Sequence, residues 1–262
     1  MRAEQAIGIT LSLVCVSILI TSLEQLARFR ELALFLTPHL DQRRSFIFGR
    51  IVKSLLVARV VLAPAVIFSV LFFDSAGGAL ILLALASLAI NFIRPVGGDG
   101  AEQLQLITVV SSSLCYLLSE RGSAEHWAAL YVSFQLLLAY TTTGWSKLHS
   151  PVWRKGDVLS RIFSTYSYGH PQMGAVLDRN VVLNQVATWG PMILFSLTPI
   201  FFIQPAISLL ILFLVFAFAF HVGTGLFMGL NNFVITFPAT YPCVIYAHAY
   251  LHSCFQGMFR WY

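Results

Sequence analysis

The chain has 262 residues, 58% of them hydrophobic and only 10% Asp, Glu, Lys or Arg, with a mean hydropathy of +0.79. A soluble domain carries about 25% charged residues, so a soluble fold is excluded, and disorder is excluded because it needs a polar chain. Four Cys with no C-x-x-C pair exclude a disulfide scaffold, and the net charge of +5 fits the basic loops of a membrane protein better than a nucleic-acid partner. These numbers predict an all-α polytopic bundle of about eight transmembrane helices, a single integral membrane domain over residues 1–262 whose partner is the lipid bilayer.

The first expected span is Ala6 to Leu23. Glu4 precedes it and no A-x-A site follows, so it is expected to stay as a span and not to be removed as a signal peptide. A long connection, 24–50, holds Arg28, Arg30, Arg43, Arg44 and Arg50. Its start, from Ser22 on, spaces Leu23, Leu26 and Arg30 like an amphipathic helix in the membrane interface. The second span, Ile51 to Phe73, contains Arg59, roughly 13 Å along the helix from Arg50. An intramembrane Arg costs at least ~2.5 kcal/mol on insertion scales, so it faces the bundle interior or water. It either contacts an anion or quinone oxygen or pairs with Asp99 or Glu102.

Gly77 to Ile93 and Leu104 to Leu118 are the third and fourth spans. Between them, Asp99 follows Gly97-Gly98 at the start of a helix. Such a carboxylate caps the helix N-terminus, acts as an active-site acid, or does both. The fifth span runs from Trp127 to about Gly144, and a second long connection, 145–185, holds Lys147, Arg154, Lys155, Arg161 and Arg179. Lys147, at a helix end, is either a snorkelling side chain or a base whose pKa desolvation lowers. Trp153 and Arg154 look like an interfacial anchor. His170, in Tyr166-Ser-Tyr168-Gly-His170-Pro, lies in a substrate entrance or an ordered turn.

Val186 to Ile203 and Ala206 to His221 form the sixth and seventh spans, joined by a tight hairpin at Gln204-Pro205. The eighth, Phe233 to Leu251, is expected to kink at Pro238 and Pro242. From residue 180 to 259 there is no Asp, Glu, Lys or Arg. His221 lies in this stretch, and Gly225 follows it at i+4, allowing close helix packing or room for a ligand. His248 and His252, at i and i+4, make an incomplete metal site and fit an aromatic interface belt better, so no metal is expected. With all eight segments crossing, one face carries 12 Lys+Arg and the other three, which places both long loops in the cytoplasm and both termini outside.

Three stretches together resemble a family. Gly144-Trp-Ser-Lys147-Leu-His-Ser-Pro-Val-Trp153-Arg-Lys-Gly156, the Gly97-Gly98-Asp99 element and Phe220-His221-Val-Gly-Thr-Gly225 are similar, in order and spacing, to the HTTM family. That family is the membrane domain shared with vitamin K-dependent gamma-carboxylases. The resemblance runs from about residue 50 to 250. It implies Lys147 as the base toward a reduced, vitamin K-like quinone, with His221 and Asp99 as further catalytic residues. Arg59, Trp153, His170 and Gly225 would bind substrate or cofactor, and a peptide or lipid would be modified, as in peptide maturation. It also places the lysine on the exterior face, opposite to the charge count. Unlike the carboxylases, the chain ends soon after its last span, without their large extramembrane domain. The alternative to an enzyme is a non-catalytic accessory or maturation subunit that binds a quinone, a lipid or a partner membrane protein. No inverted repeat suggests a transporter. A bacterial cytoplasmic membrane is the expected location.

Overall fold

The computed structural model describes residues 1–31, 42–72, 77–93, 98–118, 123–165 and 169–259. Phe73, Gly97, Tyr166 and Tyr168, named in the sequence reading, lie outside the described residues, as do Arg94, Arg121 and Arg260, three of the basic residues counted there. Among those described, every regular element is a helix: α1 (Ala3–Ala27), α2 (Gln42–Phe72), α3 (Gly77–Ile93), α4 (Gly100–Leu118), α5 (Ser123–His149), α6 (Pro151–Arg154), α7 (Val158–Phe163), α8 (Pro171–Arg179), α9 (Val181–Ser196), α10 (Thr198–Ile203), α11 (Ile207–Met228), α12 (Asn231–Ala239) and α13 (Tyr241–Phe259). Two compact units result, Met1–Val132 and Ser133–Tyr262, with the division inside α5.

Among the described residues, three helices are long and apolar enough to cross a membrane: Ala3–Ala27, Phe46–Phe72 and Ile207–Met228, with mean hydropathies of 2.3, 2.5 and 2.3. The sequence reading expected eight such segments. Gly77–Ile93 and Val181–Ser196 are apolar but shorter. The long helices are hydrophobic all round. In α1, Ile7, Leu11, Val14 and Ile18 are fully buried while Ile9, Leu13 and Val16 face outward. In α11, Phe213 and Leu214 are buried while Leu212, Val215 and Phe216 are exposed. Outward apolar faces of this kind need a lipid or protein cover.

Several expected boundaries move. The described residues of the 24–50 connection are largely helical: α1 continues to Ala27 and α2 starts at Gln42, so the proposed interfacial helix begins as part of α1. The reason is packing, since Leu26 and Phe29 lie against a cluster of Val52, Leu56 and Ile90. The 145–185 connection holds α6, α7 and α8, and Lys147 lies within α5, not in a loop after it. The sixth span breaks at Leu197, between α9 and α10, because Pro199 has no N–H for the helix ladder. The eighth breaks at Thr240, between Pro238 and Pro242, where a kink was expected. α11 runs seven residues past His221 and ends at Gly229, whose φ of 70° is left-handed. Gly229 therefore terminates the helix and does not continue the Gly225 face.

Unit 1 is built on α1 packed against α2, α2 against α3, α3 against α4, and α1 against α4. Gly8 lies beside Val70, and Phe29 beside Gly49, so α1 and α2 run antiparallel. Unit 2 joins α7 and α8 to α9, and α11 to α12 and α13. The hairpin between α10 and α11 is as tight as its Gln-Pro sequence predicts. Gln204 closes it, with its side-chain amide donating to the carbonyls of Phe201 (3.1 Å) and Ala206 (2.7 Å).

Candidate functional site

In unit 2, α5 presents Tyr140, Gly144 and Lys147 on one face, at i, i+4 and i+7. Gly144 is there because nothing larger fits. A Cβ on it would lie 2.4 Å from the Ser196 backbone nitrogen and 2.8 Å from the Phe195 carbonyl carbon. That close approach of α5 to α9 stacks the Tyr140 ring on Phe195, with centroids 4.7 Å apart and planes within 4°. Trp145 Nε1 donates to the Ser196 carbonyl at 3.2 Å and adds to the seam.

Tyr140 is buried, and its hydroxyl lies 2.9 Å from His221 Nε2 on α11 and 3.1 Å from the Tyr241 hydroxyl on α13. These three side chains form one hydrogen-bonded chain, which can pass a proton along its length. Rings enclose the His221 imidazole: Phe237 stacks on it at 4.4 Å, and Phe220 meets it edge-on at 5.4 Å. His221 is 2% exposed and its Nδ1 has no hydrogen-bond partner. Sequence reasoning singled out His221 but missed Tyr140 and Tyr241. The only signal for Tyr140 was its place one turn before Gly144.

Lys147 lies in the last turn of α5, beyond its apolar stretch and half-buried. Its Nζ is 5.0 Å from the centre of the Trp153 ring on α6. Desolvation holds the Lys147 pKa below the ordinary lysine value, while the ring face favours the ammonium. Trp153 is thus the neighbour of Lys147. Gly156, at the end of the same motif, takes φ +77°, which only glycine adopts at little cost. A Cβ there would lie 3.1 Å from Gln185 Cγ and 3.2 Å from Trp189 Nε1, so the turn fits against α9. On the neighbouring turn, Asn184 Nδ2 donates to Ser160 Oγ at 3.1 Å, a buried polar link between α9 and α7 that the sequence did not suggest.

The remaining sequence candidates of unit 2 have local structural roles. His170 caps α8, its Nδ1 accepting from the Met173 N–H at 3.3 Å, and its ring meets Phe227 edge-on. Gly225 allows α11 to pack on α12, where an added Cβ would lie 2.5 Å from Val234 Cγ2. His248 is buried, with Nε2 3.0 Å from the Gln204 carbonyl oxygen, and so braces the α10–α11 hairpin. Among the described residues, no three His, Cys, Asp or Glu come together as a metal site.

Arg59 and Asp99 belong to unit 1. Asp99 caps α4: its Oδ1 accepts from the Glu102 N–H at 2.8 Å. Arg59 is 6% exposed and lines a small cavity of about 30 Å³ with Ser87, Asn91, Glu102 and Gln105. Glu102 accepts a bond from Gln25 Nε2 at 2.6 Å, and Gln105 Nε2 reaches Ser17 Oγ at 2.9 Å and Thr21 Oγ1 at 3.3 Å. A polar ladder thus runs between α1 and α4. Its α4 members, Glu102 and Gln105, lie three residues apart on one face, a pattern visible in the sequence but not singled out there.

Of the seven sequence candidates, Lys147 and Trp153 meet each other, His221 meets Tyr140 and through it Tyr241, and Arg59 lines a cavity with polar groups of α3 and α4. No family model, curated protein or solved structure matches the chain.

Proposed function

We propose that the chain is an HTTM-type integral membrane protein of about eight crossing segments in a bacterial cytoplasmic membrane, and that unit 2 carries a membrane-embedded catalytic centre with Lys147 as its base. One observation carries the reading. Lys147 is a partly desolvated lysine held against Trp153, on the same α5 face as the Tyr140–His221–Tyr241 chain. A lysine with a lowered pKa holds a larger neutral amine fraction at a given pH than an ordinary lysine, which favours a general base. The exposed apolar faces of α1, α2 and α11 support the membrane reading.

The residues around Lys147 suit a reduced quinone, since an ammonium and an indole face can hold a ring bearing oxygens. A reduced quinone, if bound there, would supply a phenolic O–H whose proton the neutral Lys147 amine could accept, leaving a quinol anion for chemistry on a peptide or lipid substrate. Lys147 takes a proton at Nζ, and Trp153 orients the amine. Gly144 and Gly156 set both at fixed distances from α9.

Competitive amine labelling of the purified protein as a function of pH tests the base. Lys147 is expected to react at a lower pH than the exposed Lys155. Identical titration of the two would sink the assignment. Lys147→Ala is then expected to insert and fold but to lose activity in its pathway, and full activity would overturn the enzyme reading. One observation favours a non-catalytic accessory subunit instead: rings close off the His221 imidazole, leaving it no open face for a substrate. Native mass spectrometry separates the two, because a stable hetero-complex without a quinone fits only the accessory subunit.

A further inference from the structure

Neither polar centre uses the basic end of unit 1. Two contacts fix the level of that end. Gly8 of α1 lies beside Val70 of α2, and Phe29, just past α1, lies beside Gly49 of α2. On both helices the two contacts are twenty-one residues apart, a rise of about 32 Å. That matches the hydrocarbon core of a bilayer, about 30 Å thick. Gly8 and Val70 lie close to the start of α1 and the end of α2, at one boundary, so Phe29 and Gly49 lie at the other.

Cations collect at this second level. Arg28 and Arg30 follow the end of α1, Arg50 and Lys53 follow Gly49 on α2, and all four are exposed. From Glu24 to Lys53 the chain has six Lys or Arg against three Asp or Glu. Among the described residues, none of the four forms an ion pair. Two of them rest on rings instead: Arg50 Cζ is 4.3 Å from the centre of the Phe46 ring, and Lys53 Nζ is 5.9 Å from that of Phe29. Leu26, Phe29, Phe48 and Leu55 pack on Val52, Leu56 and Ile90, so the charges stand on a fixed base. The opposite end differs, since Arg2 there has Glu4 as its partner at 3.8 Å.

The surface below the charges narrows the occupant. Val57 and Val61 follow Lys53 at i+4 and i+8 on one face of α2, and they are 46% and 63% exposed. Exposed cations above an exposed apolar stripe match a molecule with an anionic head and apolar tails. An aqueous anion would use only the cations, and a neutral lipid only the stripe.

We propose that the basic end of unit 1 binds anionic phospholipids, with Arg50 and Lys53 on the phosphodiester head group and the acyl chains along Val57 and Val61. The inference rests on the membrane reading of unit 1 made above and is independent of Lys147.

The full chain is reconstituted into vesicles of mixed phosphatidylcholine and phosphatidylglycerol with identical acyl chains. It is then extracted in a neutral detergent, and the lipids that stay bound are counted by native mass spectrometry. Relative to the vesicle, phosphatidylglycerol is expected to be enriched about fivefold over phosphatidylcholine, the ratio given by one charge contact of about 1 kcal/mol. Arg50→Gln combined with Lys53→Gln removes both charges and is expected to cut the enrichment to less than half. Arg2→Gln, at the opposite end, is expected to leave it unchanged. Equal retention of the two lipids by the wild type would overturn the proposal and leave the basic end to aqueous anions. An enrichment that survives in the double variant would also overturn it, because the anionic lipid would then bind elsewhere. So would an equal loss in Arg2→Gln, which would mark a response to net charge alone. A wild-type chain that does not enter the vesicles would overturn the membrane reading itself. The wild-type comparison needs no variant, so the proposal stays testable if the double variant does not fold.

Discussion

Both units bury polar groups, but in different ways. Unit 1 buries long, flexible or ionisable ones, Arg59 and Gln105, with Glu102 half-buried beside them. Unit 2 buries rigid aromatic ones, Tyr140 and His221, with Tyr241 half-buried beside them and Phe195 and Phe237 stacked against them. The difference follows from composition. No Asp, Glu, Lys or Arg occurs between residues 180 and 259, so the polar interior contributed by α9–α13 must come from neutral groups. Aromatic rings supply hydrogen bonds and close packing together. A rigid, fully packed centre should tolerate change poorly, and a ladder with alternative partners should tolerate it better.

The largest contrast is expected at glycine. In unit 2, Gly144→Val pushes a side chain into the backbone of Ser196 and is expected to cost about 3 kcal/mol or more, or to prevent folding. In unit 1, Gly8→Ala places its Cβ 3.4 Å from Val70 Cγ1, an ordinary contact, and is expected to be close to neutral. Thermal unfolding and membrane yield of the two variants decide the matter. A well-folded Gly144→Val protein would mean that the α5–α9 seam is looser than its geometry.

Next come the hydrogen-bonded groups themselves. Tyr140→Phe leaves both His221 Nε2 and the Tyr241 hydroxyl short of a partner in a closed site, and is expected to cost about 1–3 kcal/mol. Gln105→Leu should cost less, about 1 kcal/mol, because Thr21 keeps its bond to the Ser17 carbonyl at 2.8 Å. Equal costs in the two units, measured by denaturation in the same detergent, would erase the distinction between rigid centre and forgiving ladder.

The comparison also shows what could be read from the amino acids. The apolar segments were legible because lipid-facing and core-facing positions are both hydrophobic, and the Gln204-Pro205 turn and the Asp99 cap were legible because their chemistry is local. Helix ends were less so. Sequence placed Gln25 in an amphipathic stretch and Lys147 at a helix end, but not what their polar ends meet, Glu102 for one and the Trp153 ring for the other. The Tyr140–His221 bond joins residues 81 apart, and no spacing rule reaches so far. Ser87 was silent for a different reason: a serine in an apolar helix usually bonds back to its own turn, and only the fold shows that this one does not.

The smallest expected effect concerns Lys147 and pH. Its pKa is lower in the folded protein than in the unfolded chain, because burial penalises the ammonium. Between the folded value and the ordinary value of 10.5, the unfolded chain binds more protons than the folded one. Stability therefore rises with pH through that window and is lower, and flat, beneath it. Solvent still reaches part of the side chain and screens the effect, so the slope should be shallow. Lys147→Met keeps the stem over Trp153 and removes the charge, so it should flatten the profile and raise stability most at the acidic end. Unit 1 offers the control: Gln105→Leu removes no ionisable group and should leave the slope unchanged. If Lys147→Met and the wild type show parallel profiles from pH 6 to pH 10, then Trp153 stabilises the ammonium as much as burial destabilises it. The lysine would then be an ordinary boundary charge, and the polar centre of unit 2 would reduce to its two tyrosines and His221.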